Sequence, residues 1–316
     1  MNHPLLGFLT AAGIVFFGVL GAAAYLVLAE RKLAGYFQER YGPNRVGPFG
    51  LLQPLADLIK LVFKEEVVFP QSNRWLYLLA PGIIAVMALL PLAVIPFAPH
   101  FAVTDINVAL LYVLAAASLG TYGVLLGGWA SNNKYSLIGG LRTANQMISY
   151  EIAMALALVG VVLMAGSLSL KDIVAAQQHL WYLIPQFLGF VVFLVSMFAE
   201  TNRAPFDLPE AEAELVAGYH TEYSSMKFAM FFVGEYIHMV VASALMTALY
   251  LGGWYGPWKP GFHWFALKMA LVLYLMIWVR WTYPRFRFDQ LMRFGWKVLI
   301  PLALVNLGIT GLVLLR

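Results

Sequence analysis

Three carboxylic acids stand in strongly apolar stretches of the sequence. Glu151 lies in QMISYEIAMALAL, Glu235 lies in FFVGEYIHMVVA, and Glu200 closes the run FVVFLVSMFAE. An ionisable side chain at membrane depth costs several kcal/mol unless it is paired or hydrated, so such residues are usually functional. We predict that Glu151 and Glu235 exchange protons within a membrane, with a buried structural hydrogen bond as the alternative.

Glu235 and His238 are one helical turn apart. This Glu-x-x-His spacing occurs twice in di-iron carboxylate bundles, together with two further Glu residues. It occurs once here, and the sequence contains no Cys to supply thiolate ligands for zinc or iron–sulfur clusters. We therefore predict no metal site, and we interpret His238 as a hydrogen-bond partner of Glu235 or of a neighbouring helix.

The segment AETNRAPFDLPEAEAELVAGYHTEYSSMK is acidic in a chain whose formal net charge is +4. From Glu200 to Glu222, six carboxylates stand against the single Arg203, and they are Glu200, Asp207, Glu210, Glu212, Glu214 and Glu222. If Pro209–Tyr219 is helical, Glu210 and Glu214 share a face and repel each other. Such a cluster suits a proton reservoir or relay, and a merely solvated acidic loop is the alternative.

A second polar segment, QERYGPNRVGPFGLLQP, combines Gly and Pro with Arg40 and Arg45. These residue types predict a fixed turn that presents guanidinium groups, although pairing with anionic lipid would use the same residues. Glu30 precedes this segment and has Arg31 and Lys32 as neighbours. We expect Glu30 to be an interfacial carboxylate that these two cations neutralise.

Composition decides the class of protein. Of 316 residues, 61% are hydrophobic and 11% are charged, whereas soluble domains are about 45–50% apolar and about 25% charged. A soluble fold is excluded, and an aromatic content of 15% excludes a disordered chain. Neither a G-x-G-x-x-G nor a P-loop sequence is present. The pI near 9.1 is explained by membrane topology rather than by nucleic-acid binding.

Eight apolar stretches are long enough to cross a bilayer, which takes about 20 residues. They are Leu5–Ala29, Trp75–Phe97, Asn107–Ala130, Met147–Gly166, Leu183–Ala199, Met226–Leu251, Phe265–Tyr283 and Gly295–Leu315. We predict an all-α polytopic membrane protein with eight transmembrane helices in a single membrane domain, residues 1–316. Residues 30–74 would form a cytoplasmic loop with an amphipathic surface helix, LLQPLADLIKLVFKEE, and residues 200–225 an acidic cytoplasmic loop.

Positive charge sets the predicted orientation. Of the 20 Lys and Arg residues, 16 fall in the segments that follow the first, third, fifth and seventh apolar stretches. Because cytoplasmic segments carry the excess of Lys and Arg, we expect both termini to be extracytoplasmic.

Four blocks of the sequence resemble the H subunit of the proton-pumping NADH–quinone oxidoreductases (respiratory complex I), which is subunit 1 in mitochondria. The blocks are AERKLAGYFQERYGPNRVGPFGLLQPLADLIKLVFKEE, GGLRTANQMISYEIAM, AETNRAPFDLPEAEAELVAGYHTEYSSMKFAMFFVGEY and RWTYPRFRFDQLMRFGWKVLIP. They run across nearly the whole chain in family order, and the third is long and specific. Asn145 departs from the pattern, since a small residue is expected there.

The resemblance implies a membrane subunit that forms the quinone-binding chamber with two peripheral subunits and couples quinone reduction to proton translocation. It implies ubiquinone or menaquinone as substrate, no covalently bound cofactor, and iron–sulfur clusters and FMN only on partner subunits. Small membrane subunits leading to antiporter-like subunits would be further partners, with membrane lipid but no nucleic acid, in a bacterial plasma membrane.

The resemblance also assigns positions to individual residues. Near the chamber it places Arg31, Gln38, Arg40 and Arg45. In an acidic funnel it places Asp207, Glu210, Glu212, Glu214 and Glu222. Along the first stretch of an intramembrane polar path it places Glu151, Glu200 and Glu235.

Three other functions compete with this interpretation. The nearest is a homologous membrane subunit of a membrane-bound hydrogenase-type complex without quinone, against which the intact block YGPNRVGPFGLLQP argues. An independent secondary transporter would require repeat-related broken helices, and no such repeat is evident. A structural anchor does not explain Glu151 and Glu235 at membrane depth.

Overall fold

The computed structural model describes residues 4–99, 101–209 and 212–315. Throughout these ranges the regular structure is helical and includes no β-strand, which confirms the predicted all-α class. Glu210 lies outside the described residues, and so does the side chain of Glu212.

The α-helices are α1 (Pro4–Phe37), α2 (Gln53–Phe63), α3 (Arg74–Leu89), α4 (Ala109–Ala130), α5 (Lys134–Ala165), α6 (Leu170–Ala176), α7 (Phe187–Glu200), α8 (Glu212–Leu215), α9 (Ser225–Leu249), α10 (Phe262–Thr282), α11 (Phe288–Phe294) and α12 (Ile300–Leu314). Short 3₁₀ turns lie at Pro48–Gly50, Leu90–Ala93 and Gly218–His220.

Seven helices in the described ranges are long and apolar enough to cross a membrane. Six are α1, α3, α4, α5, α9 and α10, and the seventh is a continuous helix in which the π-helical turn Gly295–Leu299 joins α11 to α12. The remaining predicted stretch contains α7, a shorter apolar helix of 14 residues, or about 21 Å. These elements make the chain a multi-pass membrane protein.

Two helices begin earlier than hydropathy predicts. The helix α5 starts at Lys134 rather than Met147, because the Asn133 side chain caps it by accepting a hydrogen bond of 2.9 Å from a backbone N–H. The last helix starts at Phe288 rather than Gly295. In each case a more polar N-terminal part precedes the apolar part, and hydropathy does not detect it.

The helix α2 confirms the predicted surface helix. None of its residues is buried, and its apolar side chains are about half exposed, namely Leu55, Leu58, Ile59 and Val62. Two contacts fasten α2 to the bundle: Arg31 of α1 pairs with Asp57 at 2.6 Å, and the Ser225 hydroxyl donates to the Leu61 carbonyl oxygen at 3.0 Å.

The polar segments meet at one end of the bundle, where α1, α4, α7 and α10 finish and α3, α5 and α9 begin. We call it the charged end. Here a Cβ added to Gly139 of α5 would lie 2.7 Å from the backbone nitrogen of Tyr219. The backbone of the acidic segment therefore rests directly on α5, a contact that only glycine permits.

Candidate functional site

Glu30 is buried at the charged end, with 4% of its surface exposed. Its carboxylate accepts a hydrogen bond of 2.7 Å from the Tyr236 hydroxyl. It also pairs with two guanidinium groups, those of Arg203, whose Nη1 lies 3.3 Å from Oε1, and of Arg280. A buried carboxylate needs such partners, because an unpaired charge is costly outside water.

The sequence neighbours of Glu30 do not neutralise it. Arg31 pairs with Asp57, and the Lys32 ammonium donates to the carbonyl oxygen of Phe49. Successive helical positions point about 100° apart, so Glu30 faces the bundle while these cations face the surface helix and its loop. The expected interfacial carboxylate with adjacent counter-ions is wrong.

Arg203 joins Glu30 to Glu235. Its Nε lies 2.9 Å from the Glu235 Oε1, its guanidinium lies 4.4 Å from the centre of the Tyr236 ring, and it is 3% exposed. Burial by itself lowers the pKa of Arg203, but the Glu235 and Glu30 carboxylates raise this pKa above its ordinary value. The guanidinium group therefore stays charged.

We call Glu30, Arg203, Glu235, Tyr236 and Arg280 the buried charge cluster. Two carboxylates face two guanidinium groups, contributed by α1, α9, α10 and the turn after α7. Sequence reasoning identified only Glu235 as a site residue. The sequence offered two signals for the other members: Arg203 is the lone arginine of the acidic segment, and Arg280 stands near the end of an apolar stretch.

The described acids of the acidic segment point to different partners. Asp207 pairs with Arg285 at 2.8 Å, Glu214 pairs with Arg142 at 2.6 Å, and Glu222 accepts a hydrogen bond of 2.5 Å from Asn133. These partners come from α5, the turn before it and the segment after α10. Asp207 and Glu214 are thus each paired with an arginine, whereas Glu222 is bonded to a neutral amide.

The described part of Pro209–Tyr219 is not one continuous helix, so the condition for Glu210 and Glu214 to share a helical face is not met there. The described α-helical residues are Glu212–Leu215, and Val216 then adopts a left-handed conformation with φ of 67°. A 3₁₀ turn follows at Gly218–His220. A β-branched residue at positive φ interrupts an α-helix.

Gln146 holds the turn that connects α7 to the acidic segment. Its side chain is fully buried, and its amide nitrogen donates to the carbonyl oxygens of Ala199 and Phe206, both at 2.8 Å. Tyr150, one turn further along α5, contacts the Phe206 ring edge-on with centroids 5.5 Å apart. α5 thereby fixes the backbone that carries Arg203.

Glu151 and Glu200 belong to α5 and α7, two helices that pack against each other. Glu200 is 9% exposed, and neither of its carboxylate oxygens has a hydrogen-bond partner in the described chain. Glu151 has Ser118 of α4 as a side-chain partner. The two acids therefore lie on neighbouring helices.

His238 does not form the predicted hydrogen bond with Glu235, which pairs with Arg203 instead. The imidazole packs beside Gly120 of α4, where an added Cβ would lie 3.7 Å from Nε2. His238 and Glu200 line the same internal cavity.

The segment QERYGPNRVGPFGLLQP, residues 38–54, is here called the basic turn, and it lies at the surface of the charged end. Arg31, Gln38, Arg40 and Arg45 are all exposed, and the Arg40 Nε donates to Gln38 Oε1 at 2.7 Å. The turn is tightly folded, since Gly50 has φ of 76° and packs against the Pro43 carbonyl group. A fixed backbone thus presents these polar side chains to a partner or ligand.

Lys268 is a buried cation. In the sequence it is one of the four Lys and Arg residues that lie outside the segments predicted to be cytoplasmic. It is 6% exposed in α10 and donates to the carbonyl oxygens of Leu251, Gly253 (3.1 Å) and Tyr255. Its ammonium lies 4.1 Å from the Trp181 ring centre. It caps the end of α9 remote from the charge cluster.

His220 belongs to the acidic segment and is surrounded by aromatic rings. Its imidazole contacts Tyr219 and Phe228 with centroids 4.9 and 5.3 Å apart, and its Nδ1 is buried without a hydrogen-bond partner among the described residues. Burial lowers the pKa of His220 to about 4.

We expect acid to loosen the backbone around His220. Between pH 6.5 and pH 4 the opened segment binds a proton that the closed segment does not, so stability falls as pH falls through this window. From pH 7 to pH 5 the loss in the free energy of opening is about 2 kcal/mol.

Hydrogen exchange at the Tyr223 N–H, which bonds to the His220 carbonyl oxygen, measures this loss. His220→Gln removes this loss and the control His263→Gln retains it; an equal loss in His220→Gln contradicts the assignment.

A sequence model of the NADH dehydrogenase family matches residues 10–311. This chain belongs to that family. A relative from Geobacter metallireducens, named as H subunit 1 of NADH-quinone oxidoreductase, is 54% identical over 316 residues, covering 97% of this chain and 96% of the relative. The H subunit 2 of Geobacter sulfurreducens is 56% identical over 311 residues, covering 96% and 94%. The H subunit of Rhodospirillum rubrum is 55% identical over 301 residues, covering 93% and 89%.

Membership of the NADH dehydrogenase family confirms the resemblance seen in the four sequence blocks. The matched range includes the buried charge cluster, the acidic segment and the basic turn. The similar proteins are named as subunits of an enzyme complex, and this chain is a multi-pass membrane protein like a membrane subunit.

Proposed function

We propose that this chain is the membrane subunit of a proton-translocating NADH:quinone oxidoreductase. It forms the quinone-binding chamber with peripheral subunits and couples quinone reduction to proton translocation. The observation that carries the proposal is the buried charge cluster, because it joins the acidic segment 200–225 to acids within the membrane.

The chamber lies at the basic turn, and its substrate is ubiquinone or menaquinone. Reduction of a quinone to a quinol takes up two electrons and two protons, so negative charge develops before the protons arrive. Positioned guanidinium groups stabilise such charge. Arg31, Arg40 and Arg45 fill this role, and Gln38 adds a neutral amide that donates hydrogen bonds. The exposed apolar face of α2 provides the docking surface for a peripheral subunit.

The acidic segment transmits to the helix bundle the change in charge that accompanies quinone reduction. We assign Asp207, Glu210, Glu212, Glu214 and Glu222 to this relay. When the charge near this segment changes, Arg203 shifts between Glu30 and Glu235, and the carboxylate that loses its counter-ion takes up a proton. Glu200 and Glu151 continue the path within the membrane.

The redox cofactors belong to partner subunits in this proposal. The chain has no Cys to ligate an iron–sulfur cluster, and FMN likewise is assigned to a partner. Small membrane subunits that lead to antiporter-like subunits respond to the change in protonation of the acids in this chain. The charged end faces the cytoplasm of a bacterium, and both termini are extracytoplasmic. A hydrogenase-type complex is the alternative; the names of relatives at 54–56% identity favour the quinone enzyme.

Replacing Glu200 tests the coupling. In the intact complex reconstituted in vesicles, we expect Glu200→Gln to lower the protons pumped per NADH oxidised by roughly tenfold, since a proton carrier is removed. NADH oxidation by an artificial acceptor stays unchanged, because it uses partner subunits only.

Asp105→Asn is the matched control, since Asp105 forms an exposed pair with Lys171 at the opposite end. It should pump normally. Normal pumping by Glu200→Gln would count against a proton path through the acids of this chain.

A further inference from the structure

Two cations without a partner stand one helical turn apart on the continuous helix formed by α11 and α12. Arg293 and Lys297 are exposed, and neither side chain forms an ion pair or a hydrogen bond with another described residue. The single acid in residues 283–316 of the sequence is Asp289, which pairs with Arg287 at 3.2 Å. The described chain therefore leaves the positive charge of this helical turn uncompensated, and an external anion can approach it.

The position of these cations along the helix matches the depth of lipid headgroups. From Lys297 to Leu314 the helix is about 25 Å long, which is close to the thickness of about 30 Å of a hydrocarbon core. Trp296 lies at the same level with 51% of its surface exposed, and its Nε1 donates to the Ser149 hydroxyl oxygen at 3.1 Å. Tryptophan is enriched where a membrane meets water, because its ring is amphipathic. Arg293 and Lys297 therefore lie at the level of phospholipid phosphates.

An exposed apolar stripe continues from these cations along the same side of α12. At helical spacing it comprises Pro301, Leu304, Val305, Gly308 and Leu312, all exposed. The buried residues of α12 lie on the opposite side and face the bundle, namely Ala303, Asn306 and Thr310. Cations at headgroup level above an apolar stripe match the two parts of a phospholipid, its phosphate and its acyl chains. A free phosphate ion would match the cations alone.

We propose that Arg293, Trp296 and Lys297 bind the headgroup of an anionic phospholipid whose acyl chains lie along this stripe. A headgroup with a net negative charge is favoured over a zwitterionic one, because the two cations repel the ammonium group that a zwitterionic headgroup carries. Basic residues beside a membrane helix attract anionic lipid, each by a factor of about five in affinity. The inference concerns the lipid around the chain and does not depend on the proposed function, so the lipid site and the pumping defect of Glu200→Gln can fail separately.

Photolabelling of the intact complex in vesicles tests the site. The vesicles consist of phosphatidylcholine with increasing fractions of phosphatidylglycerol that carries a photoreactive group at the start of one acyl chain, and peptide mapping reports the labelling of residues 288–314. We expect Arg293→Gln/Lys297→Gln to raise the mole fraction for half-maximal labelling about thirtyfold, since two cations contribute about fivefold each. Phosphatidylcholine with the same photoreactive group should label this double variant and the wild type equally.

The control variant Lys171→Gln/Lys259→Gln removes two exposed cations from the opposite end and should be labelled like the wild type. An unchanged mole fraction for Arg293→Gln/Lys297→Gln, or an equal shift in the control, overturns the lipid site. A photoreactive amino acid placed at Val305 gives a second measurement in the intact complex. Cross-linking of this position to phospholipid supports the proposal, whereas cross-linking to another subunit overturns it, because a protein then covers the stripe.

Discussion

Replacing Arg203 with Met is expected to destabilise the charged end by about 3–5 kcal/mol, because it leaves a buried carboxylate without its counter-ion. Glu235 loses the guanidinium that lies 2.9 Å away, whereas Glu30 keeps Arg280. The backbone N–H of Phe206, bonded to the carbonyl oxygen of residue 203 at 2.8 Å, reports the opening by hydrogen exchange in the intact complex.

Two further variants isolate the contribution of the buried charge. Arg287→Met removes a guanidinium from an exposed pair with Asp289, whose side chains are 78% and 48% exposed, and should cost no more than about 1 kcal/mol. Adding Glu235→Gln to Arg203→Met removes the orphaned carboxylate and should recover part of the loss. If the double variant is as unstable as the sum of both single variants, the two residues are not coupled.

Replacing Lys268 with Met is expected to cost at least about 3 kcal/mol, because three buried carbonyl groups lose a charged donor and such bonds contribute about 1.5–3 kcal/mol each. The desolvation of the ammonium offsets part of the sum. Thermal inactivation of the reconstituted complex and hydrogen exchange at the Gly253 N–H, which bonds to the Thr247 carbonyl oxygen at 2.8 Å, measure the effect.

Lys259→Met is the matched control, since Lys259 is exposed and lies in the same connection between α9 and α10. It should change stability little. A wild-type inactivation temperature for Lys268→Met would show that water replaces the ammonium and that the capping contacts carry little energy.

The membrane-spanning architecture was predictable from the sequence. Hydropathy is a local property, and in a bilayer each spanning segment must satisfy its backbone hydrogen bonds internally, so an apolar run of sufficient length specifies a helix. The exceptions are the capped polar turns that start α5 and α11 and the shortness of α7. Family membership was predictable for a similar reason, because it resides in contiguous blocks of residues.

The position of Glu151 and Glu235 on helices long enough to span a membrane also followed from sequence, since each stands within an apolar run. The partners of these two acids could not be predicted from the sequence. A sequence pattern shows only neighbours along the chain. The expectation for Glu30 was wrong for this reason, because Arg31 and Lys32 were the only partners that the local sequence offered.

The buried charge cluster was decided by tertiary structure alone. Glu30 is separated by 173 positions from Arg203 and by 250 from Arg280. Charge compensation depends on distances of a few ångströms and on exclusion of water, and neither is a function of spacing along the chain. The sequence by itself determined that costly acids stand on apolar helices of spanning length; only helix packing determined which cations and which cavity they face.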